Sequence, residues 1–242
     1  MKKIVITLVF FAFLLYSASA QERSLRFGLQ FSPSFSWMST NDQRVNGSGT
    51  NLGMKLGMLT EYYYIQNYAF TTGIGFAFNQ GGTLLYEYGG SYWPGSGLGE
   101  ALDSLPDGVK LKHQLQYVEI PFLLKIRTRE FGSLRYYLES GFVAGFRSQS
   151  SGSITGRGVG DEAKQFDIRK DVNPFSLSWV FSGGLEHALT QSASLVTGLN
   201  IHVGLTDVTR DKGILFDPQL GSVPERSRGK ISGISLKVGL MF

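Results

Sequence analysis

The stretch that decides the fold is Leu-Gln-Tyr-Val-Glu-Ile-Pro-Phe-Leu-Leu-Lys-Ile-Arg, residues 115–127. From residue 118 onward its apolar side chains stand at every second position. Side chains two residues apart share one face of a β-strand, so the stretch predicts a strand with one apolar face. The opposite face carries Glu119, Lys125 and Arg127, with Leu123 among them. The alternation shifts near Tyr117 and Val118, which we interpret as a possible β-bulge.

Seven further segments alternate in the same way. They cover residues 25–38, 51–64, 68–79, 134–147, 174–187, 194–205 and 233–242, and the opening strand itself extends back to about residue 110. Most of them run for about ten residues or more, which is the length that a tilted strand needs to cross a bilayer, whereas strands of soluble proteins average five or six. The lengths therefore favour membrane-spanning strands.

The connections between the segments alternate between long and short. Long connections cover residues 39–50, 80–109, 148–173 and 207–229, and short ones lie near residues 65–67, 128–133 and 188–193. Outer-membrane barrels have long extracellular loops and short periplasmic turns. The sequence thus predicts an all-β fold, a transmembrane eight-stranded antiparallel up-and-down β-barrel, with its long loops outside the cell and its short turns in the periplasm.

Aromatic side chains cluster near both ends of the predicted strands, as two interfacial girdles would. Near the turns stand Tyr62, Tyr64, Tyr68, Phe70, Tyr136 and Phe242, and near the loops stand Trp37, Phe78, Phe146 and Phe175.

The polar face of the segments argues against a soluble, lipocalin-like barrel. Such a barrel would hydrate this face, which is mostly Gly and Ser with unusually few charges for a surface in water. Turned inward, the same residues would fill the narrow interior of an eight-stranded barrel. Because buried charges must be paired, we predict Arg/Lys–Glu pairs across neighbouring strands. The candidate residues of this lumen network are Arg26, Lys55, Glu61, Glu119, Lys125, Arg127, Arg135, Glu139, Arg147, Glu186 and Lys237.

The first twenty residues have the three parts of a secretory signal peptide. Lys2 and Lys3 provide a positive start, an apolar run follows, and Ala18-Ser19-Ala20 is a small-residue cleavage site. We expect residues 1–20 to be removed and residues 21–242 to form one barrel domain. The chain has no cysteine, which excludes disulfides and acylation on Cys. Removal of both lysines lowers the formal charge from +4 to +2, and we expect no nucleic-acid partner.

Residues 117–125, Tyr-Val-Glu-Ile-Pro-Phe-Leu-Leu-Lys, strongly resemble the Y-L-E-I-P-L-L-L-K signature of PorT-type outer-membrane β-barrel proteins. The signal peptide and the closing apolar strand are also similar to that group, but only this nonapeptide is specific. The resemblance implies an integral barrel in the cell outer membrane. The founding member belongs to a protein-export machinery, and most relatives have no assigned activity. The terminal Phe242 further resembles the signal that the barrel-insertion machinery reads.

Signals for catalysis are few. His113, His187 and His202 lie near a loop base, near a turn and on the interior face, and no compact His-x-Ser pairing is present. The glycines around Arg157 lack the Lys-Ser/Thr pair of a phosphate loop, and Asp207, Asp211 and Asp217 lack calcium-loop spacing. We therefore predict neither an enzyme nor a cofactor or metal site.

The second long connection contains Tyr86, Tyr88, Tyr92 and Trp93 among Gly and Ser, a composition that suits adaptable recognition. Alternatively, the third and fourth strands simply continue past the membrane there as a hairpin. We expect a structural or adhesive barrel, or an accessory of an envelope or protein-secretion assembly. Its expected partners are outer-membrane lipid, the barrel-insertion machinery and a surface or secretion-complex partner. A narrow pore is disfavoured because eight strands leave little lumen, and a lipid-modifying enzyme because no nucleophile–base pair is evident.

Overall fold

The computed structural model describes residues 25–98, 104–159 and 165–242, so the predicted signal peptide lies outside the described residues. These ranges contain no helix that is long and apolar enough to cross a membrane. The chain there forms twelve strands: β1 Leu25–Ser39, β2 Val45–Ile65, β3 Tyr68–Tyr86, β4 Gly90–Ser91, β5 Val109–Arg127, β6 Leu134–Thr155, β7 Phe166–Asp167, β8 Phe175–Ala188, β9 Ser194–Gly204, β10 Ile214–Asp217, β11 Gly221–Pro224 and β12 Lys230–Met241.

Eight of these strands close into a ring. Its order is β1, β2, β3, β5, β6, β8, β9 and β12, and β12 pairs with β1. Every pairing in the ring is antiparallel. The predicted eight-stranded antiparallel barrel is therefore confirmed. Below, the end with the short connections is called the turn end, and the end with the long connections is called the cap end.

The barrel wall is apolar on the outside and polar on the inside. Alternate side chains such as Phe27, Met58 and Leu236 are more than half exposed, whereas the intervening Ser32 and Ser235 are buried in the lumen. A wall that exposes its apolar face over the length of each strand is stable in hydrocarbon and not in water. This is the arrangement that the sequence predicted, with the apolar face outside and the polar face in the lumen.

Four strands, β2, β3, β5 and β6, run for 19 to 22 residues, about twice the length that a bilayer requires, and three of them exceed the prediction. β2 begins six residues earlier than expected, β3 ends seven later, and β6 ends eight later. Together with β5 they rise past the barrel wall at the cap end. The second long connection was predicted to be either a recognition loop or a continuation of the third and fourth strands past the membrane. The structure shows the continuation, in β3 and β5.

The raised part of these strands reverses the distribution of polarity. On β5, Leu111 and Leu115 are buried on the inner face, while Lys110, Lys112 and Gln114 stand on the outer face. The inner face carries apolar side chains that pack against residues of the long connections, including Trp93, Leu105, Ile168, Val172, Val208 and Leu215. The long connections thus fold over the raised strands into a compact cap with its own hydrophobic core.

The predicted irregularity near Tyr117 is present, but the extra residues are on the neighbouring strands. The pairing of β5 with β6 shifts between Gln116 and Tyr117, where Ser148 is skipped, and its pairing with β3 shifts between Ala77 and Gln80. β5 itself keeps its odd-numbered side chains inside throughout. The change in its sequence pattern arises because its outer face changes from polar to apolar side chains at this height.

Candidate functional site

The centre of the lumen at the turn end is Lys125, which is completely buried. Its Nζ donates a hydrogen bond to Glu61 Oε1 at 2.6 Å and another to Glu186 Oε1, and lies 3.7 Å from Glu139 Oε1. Lys237 Nζ donates to Glu139 Oε2 at 2.7 Å. Arg26 Nη1 lies 3.6 Å from Glu61 and 3.4 Å from Glu186. The structure thus joins six of the predicted charges into one network.

An aromatic ring completes this network. Tyr137 lies with its ring 4.7 Å from Lys125 Nζ and 5.3 Å from Lys237 Nζ, within the range of cation–π attraction. Gly198 makes room for it, because a Cβ at that position would stand 2.3 Å from the Tyr137 hydroxyl. The sequence did not single out Tyr137 or Gly198, since the position of the ring depends on which strands lie opposite each other across the lumen.

A second pair lies closer to the cap. Lys55 Nζ donates to both oxygens of Glu119, at 2.9 and 3.1 Å. Lys55 is on β2 and Glu119 is on β5, with β3 between them. The same separation divides Glu61 from Lys125, and the strands of Glu139 and Lys237 are also not neighbours. Two ion pairs do join neighbouring strands as expected, Arg26 with Glu61 at 3.6 Å and Lys125 with Glu139 at 3.7 Å. The shorter contacts correct the expectation, because the lumen is so narrow that long side chains reach across it.

Three predicted network residues lie at its edges. Arg127 Nη1 is 3.7 Å from Glu186 Oε2 at the turn end. Arg135 instead pairs on the rim with Glu130, at 2.5 Å. Arg147, at the cap end, donates to the carbonyl oxygens of Arg169 and Val172 at 2.6 and 2.5 Å rather than to a carboxylate. Arg147 leaves the charge network because the folded connection brings backbone acceptors within its reach.

The remaining lumen is nearly filled. One cavity of about 60 Å³ lies beside Leu123, Val143 and Val180, and one of about 40 Å³ lies nearer the cap. Lys55, Glu119 and His202 line both cavities and separate them. Since a cavity needs about 10–15 Å³ of such volume to hold one water molecule, these spaces have room for a few waters each.

The lumen also brings together a serine and a histidine that the sequence does not place together. His202 Nε2 lies 3.1 Å from Ser235 Oγ, and Asn200 Nδ2 donates to the same Oγ at 3.3 Å. A Ser–His contact is part of a hydrolase site only where a substrate can reach it. Ser235 is buried and the adjoining cavity has a volume of only about 60 Å³, so the contact acts as a polar bridge between β9 and β12.

The aromatic residues of the second long connection were predicted to form a contact surface, but most of them are buried. Tyr86, Tyr92 and Trp93 are each about 97% buried, and Tyr88 is partly buried. The Tyr86 and Tyr92 rings are 4.0 Å apart, and Trp93 packs edge-on against His113. Three of the four residues therefore form the core of the cap and are not available to a partner, because folding of the cap buries their large apolar area.

Beneath these tyrosines lies a buried acid, Glu225. Its Oε1 accepts hydrogen bonds from Tyr86 Oη and Ser227 Oγ, both at 2.8 Å. Burial raises the pKa of the Glu225 carboxyl to about 7, opposed by the bonds from Ser227 and Tyr86 and supported by the nearby Asp211 and Asp207. The cap core therefore contains a carboxyl group that changes its charge near neutral pH.

The exposed apolar side chains of the cap stand elsewhere, on the β10–β11 hairpin. Ile214 and Phe216 point outward and are 44% and 42% exposed, Leu220 at the turn is 70% exposed, and Leu215 between them is completely buried. β11 forms an edge of the small sheet β11-β10-β4. This hairpin lies in the predicted fourth long connection, and its apolar run Ile214-Leu215-Phe216 is the sequence signal that could have revealed it.

At the other end, Phe242 is exposed and its backbone exchanges hydrogen bonds with Phe27 at 2.7 and 3.1 Å. It thus closes the β1–β12 seam, and its role as an insertion signal stays a prediction. Among the residues of the described ranges, no group of three or more His, Cys, Asp or Glu side chains is arranged to hold a metal ion.

Comparison with known proteins gives one matching family model and several similar solved structures. A family model described as outer membrane protein beta-barrel domain matches residues 18–210. Similar solved structures include Neisserial surface protein A, with 9% identity, a TM-score of 0.41 and coverage of 89% of this chain and 95% of that one. OprG from Pseudomonas aeruginosa has 12% identity, a TM-score of 0.40 and coverage of 89% and 95%. AlkL has 15% identity, a TM-score of 0.40 and coverage of 93% and 92%. No curated protein matches the chain.

Proposed function

The chain belongs to the outer membrane protein beta-barrel domain family and lies in the outer membrane, and on that premise we propose that it is a closed structural and adhesive barrel. In this proposal the barrel anchors the folded cap at the cell surface, with the cap end outside and the turn end in the periplasm. The cap meets a surface partner through the outer face of the β10–β11 hairpin.

The observation that carries the proposal is the folded cap above a filled lumen. A conducting barrel needs a continuous aqueous path, whereas here charge pairs and cavities of about 40 and 60 Å³ occupy the interior. The exposed apolar side chains of the β10–β11 hairpin support the adhesive role. Side chains such as Phe216 and Leu220 lose contact with water only when another surface covers them.

The resemblance of residues 117–125 to the PorT-type signature also supports a role as an accessory of an envelope or secretion assembly. The polar residues of this nonapeptide are, however, used inside the barrel. Glu119 pairs with Lys55, and Lys125 pairs with Glu61 and Glu186. Because the signature serves the lumen rather than an outer surface, the adhesive role has the stronger support.

Conductance tests the closed state. The purified full-length protein, inserted in planar bilayers, is expected to give no discrete current steps above those of a protein-free bilayer. Heat-modifiable mobility of the same sample in electrophoresis verifies that the barrel is folded. Reproducible steps from folded protein would replace the adhesive proposal with a narrow pore.

Adhesion tests the hairpin. Cells displaying the protein are allowed to settle on an apolar surface, and the fraction retained after washing is measured. We expect the triple variant Ile214→Ser, Phe216→Ser, Leu220→Ser to lose most of the retention that the wild type adds over cells lacking the protein. The control variant Lys110→Ser, Lys112→Ser changes the outer face of β5 and should retain cells like the wild type. Equal retention by both variants at equal surface amounts would contradict the role of the hairpin.

A further inference from the structure

A concave vestibule opens at the turn end of the barrel. It encloses about 420 Å³ and is lined by Arg26, Arg127 and Arg135, by Glu130, and by the hydroxyl-bearing residues Thr190, Ser192 and Ser194. This volume lies within the usual range of small-ligand sites. The lumen cavities above it are far smaller, so a ligand entering the vestibule stops at the charge network.

The network behind this vestibule holds more cations than carboxylates. Within the described part of the chain, Arg26, Lys125, Arg127 and Lys237 share three carboxylates, Glu61, Glu139 and Glu186. Glu186 alone serves Lys125, Arg26 and Arg127. The pair of Arg135 and Glu130 on the rim leaves this balance unchanged. Because a buried charge is costly unless it is compensated, the extra positive charge favours an anion from outside the network.

Arg127 has the geometry to receive that anion. Its guanidinium lies 3.9 Å from the centre of the Tyr63 ring, which holds its plane, and Nη2 donates to the Gln66 carbonyl oxygen at 3.1 Å. Its distance of 3.7 Å from the shared Glu186 is longer than a hydrogen bond. Its Nε is buried and has no hydrogen-bond partner among the described residues. The side chain is fixed in place while its donors are only partly used.

We propose that the vestibule is an oxyanion-binding site, with Arg127 as the main recognition residue and Arg26 and Arg135 on its flanks. Its ligand is a carboxylate or phosphate group, whose paired oxygens match the fork of a guanidinium. Such a group reaches the turn end either as a free small ion or as part of a larger molecule. This site lies at the opposite end of the barrel from the hairpin, so it is independent of the adhesive role.

The test is a titration of the full-length protein in lipid nanodiscs, followed by NMR shifts of the backbone amides of Gln66, Thr190 and Ser194. Inorganic phosphate and acetate are added at constant ionic strength, with chloride as the reference anion. We expect saturable shifts with phosphate or acetate, and an affinity that falls about tenfold or more in Arg127→Gln. Arg129→Gln, in the same turn but outside the vestibule, should bind like the wild type.

Two further variants distinguish a loss of anion binding from a folding defect. Arg127→Lys keeps the charge but loses the fork and should bind more weakly than the wild type, and the rim variant Arg135→Gln should give an intermediate loss. Shifts that follow ionic strength alone, or that are unchanged in all Arg127 and Arg135 variants, would overturn the site. A short peptide with a free C-terminal carboxylate is compared with its amide. Tighter binding of the free acid than of acetate assigns the group to a larger molecule, and binding of free ions alone assigns it to a small anion.

Discussion

Glu225 lies where a charge is least well tolerated, among two tyrosine hydroxyls and the apolar core of the cap. Its carboxyl accepts hydrogen bonds but has no cation among its described contacts. A carboxyl whose pKa is higher in the folded than in the unfolded state contributes most stability below its unfolded value, and that contribution is lost as the pH rises through the folded value. Here this interval runs from 4.5 to about 7.

We therefore predict that the cap is more stable at pH 4 than at pH 8, by on the order of 3 kcal/mol. Glu225→Gln keeps an acceptor for Tyr86 and removes the titration, so its stability should be nearly independent of pH in this range. Urea unfolding followed by the fluorescence of Trp93, with Trp37 and Trp179 replaced by Phe, measures the effect. Glu87→Gln, an exposed acid of the cap, should keep the wild-type slope, and an equal slope in Glu225→Gln would refute the assignment.

For single residues, the sequence predicted the face of the strand but not the contact partners. Alternation along the strands was sufficient to place Lys125 and Glu61 inside the barrel, because parity decides the face of a strand. It could not identify their partners, because the height of each side chain in the lumen depends on the stagger between strands after closure. Arg147 was assigned to the network for its parity, although backbone carbonyls of a connection distant in sequence take its donors.

The strand β5 spans two solvents. Its lower outer face carries Phe122, Leu124 and Ile126, and its upper outer face carries Lys112, Gln114 and Gln116. The inner face changes in the opposite sense, from charged residues below to leucines above. A pattern that appears in the sequence as a break in the strand is thus a continuous strand that leaves the membrane.

We predict that the change of solvent lies between Gln116 and Val118. The chain has no cysteine, so single cysteines at residues 112, 114, 116, 122, 124 and 126 can each carry a nitroxide label without further changes. Labels at the first three positions should be relaxed mainly by a water-soluble nickel chelate, and labels at the last three mainly by oxygen dissolved in lipid. A label at the inward-facing Leu123 serves as the control and should be little affected by either. A gradual change along all six positions would show that the upper strand does not leave the membrane.

The cap elements also explain what the sequence concealed. The buried residues of β5 above the membrane alternate as regularly as the lipid-facing ones below, but with the opposite parity. On β3 the shift between Ala77 and Gln80 leaves both sets at even-numbered positions. Val45, Tyr92 and Leu215 come from separate connections and are brought together only by the fold. Their burial is a property of tertiary packing, which a pattern along one segment does not contain.

As a whole molecule, the barrel is held across its interior as well as around its wall. Lys125 on β5 contacts carboxylates on β2, β6 and β8. These contacts hold the cross-section of the lumen, and the hydrogen-bonded ring determines its circumference. Without the central cation, Glu139 keeps its bond to Lys237, but among the described residues Glu61 and Glu186 keep only the longer cation contacts of 3.4–3.7 Å, to Arg26 and Arg127.

We predict that Lys125→Met lowers the free energy of unfolding by about 3–5 kcal/mol, because it breaks a buried ion pair from one side. Lys112→Met, on the outer face of the raised part of β5, removes the same charge at the surface and should change stability by less than about 1 kcal/mol. Urea unfolding in lipid vesicles compares the two variants. Equal stability of Lys125→Met and the wild type would mean that water in the lumen solvates the remaining carboxylates.

The seam between β1 and β12 also sets the order of assembly. The hydrogen bonds between Phe27 and Phe242 join residues roughly two hundred positions apart, so this ring-closing step carries the largest loss of chain entropy in the barrel. Until that step, any partly folded sheet has two open edges that can pair with other chains. The nascent protein is therefore most vulnerable to aggregation when it is nearly complete, and whatever shields these two edges controls the yield of folded barrel.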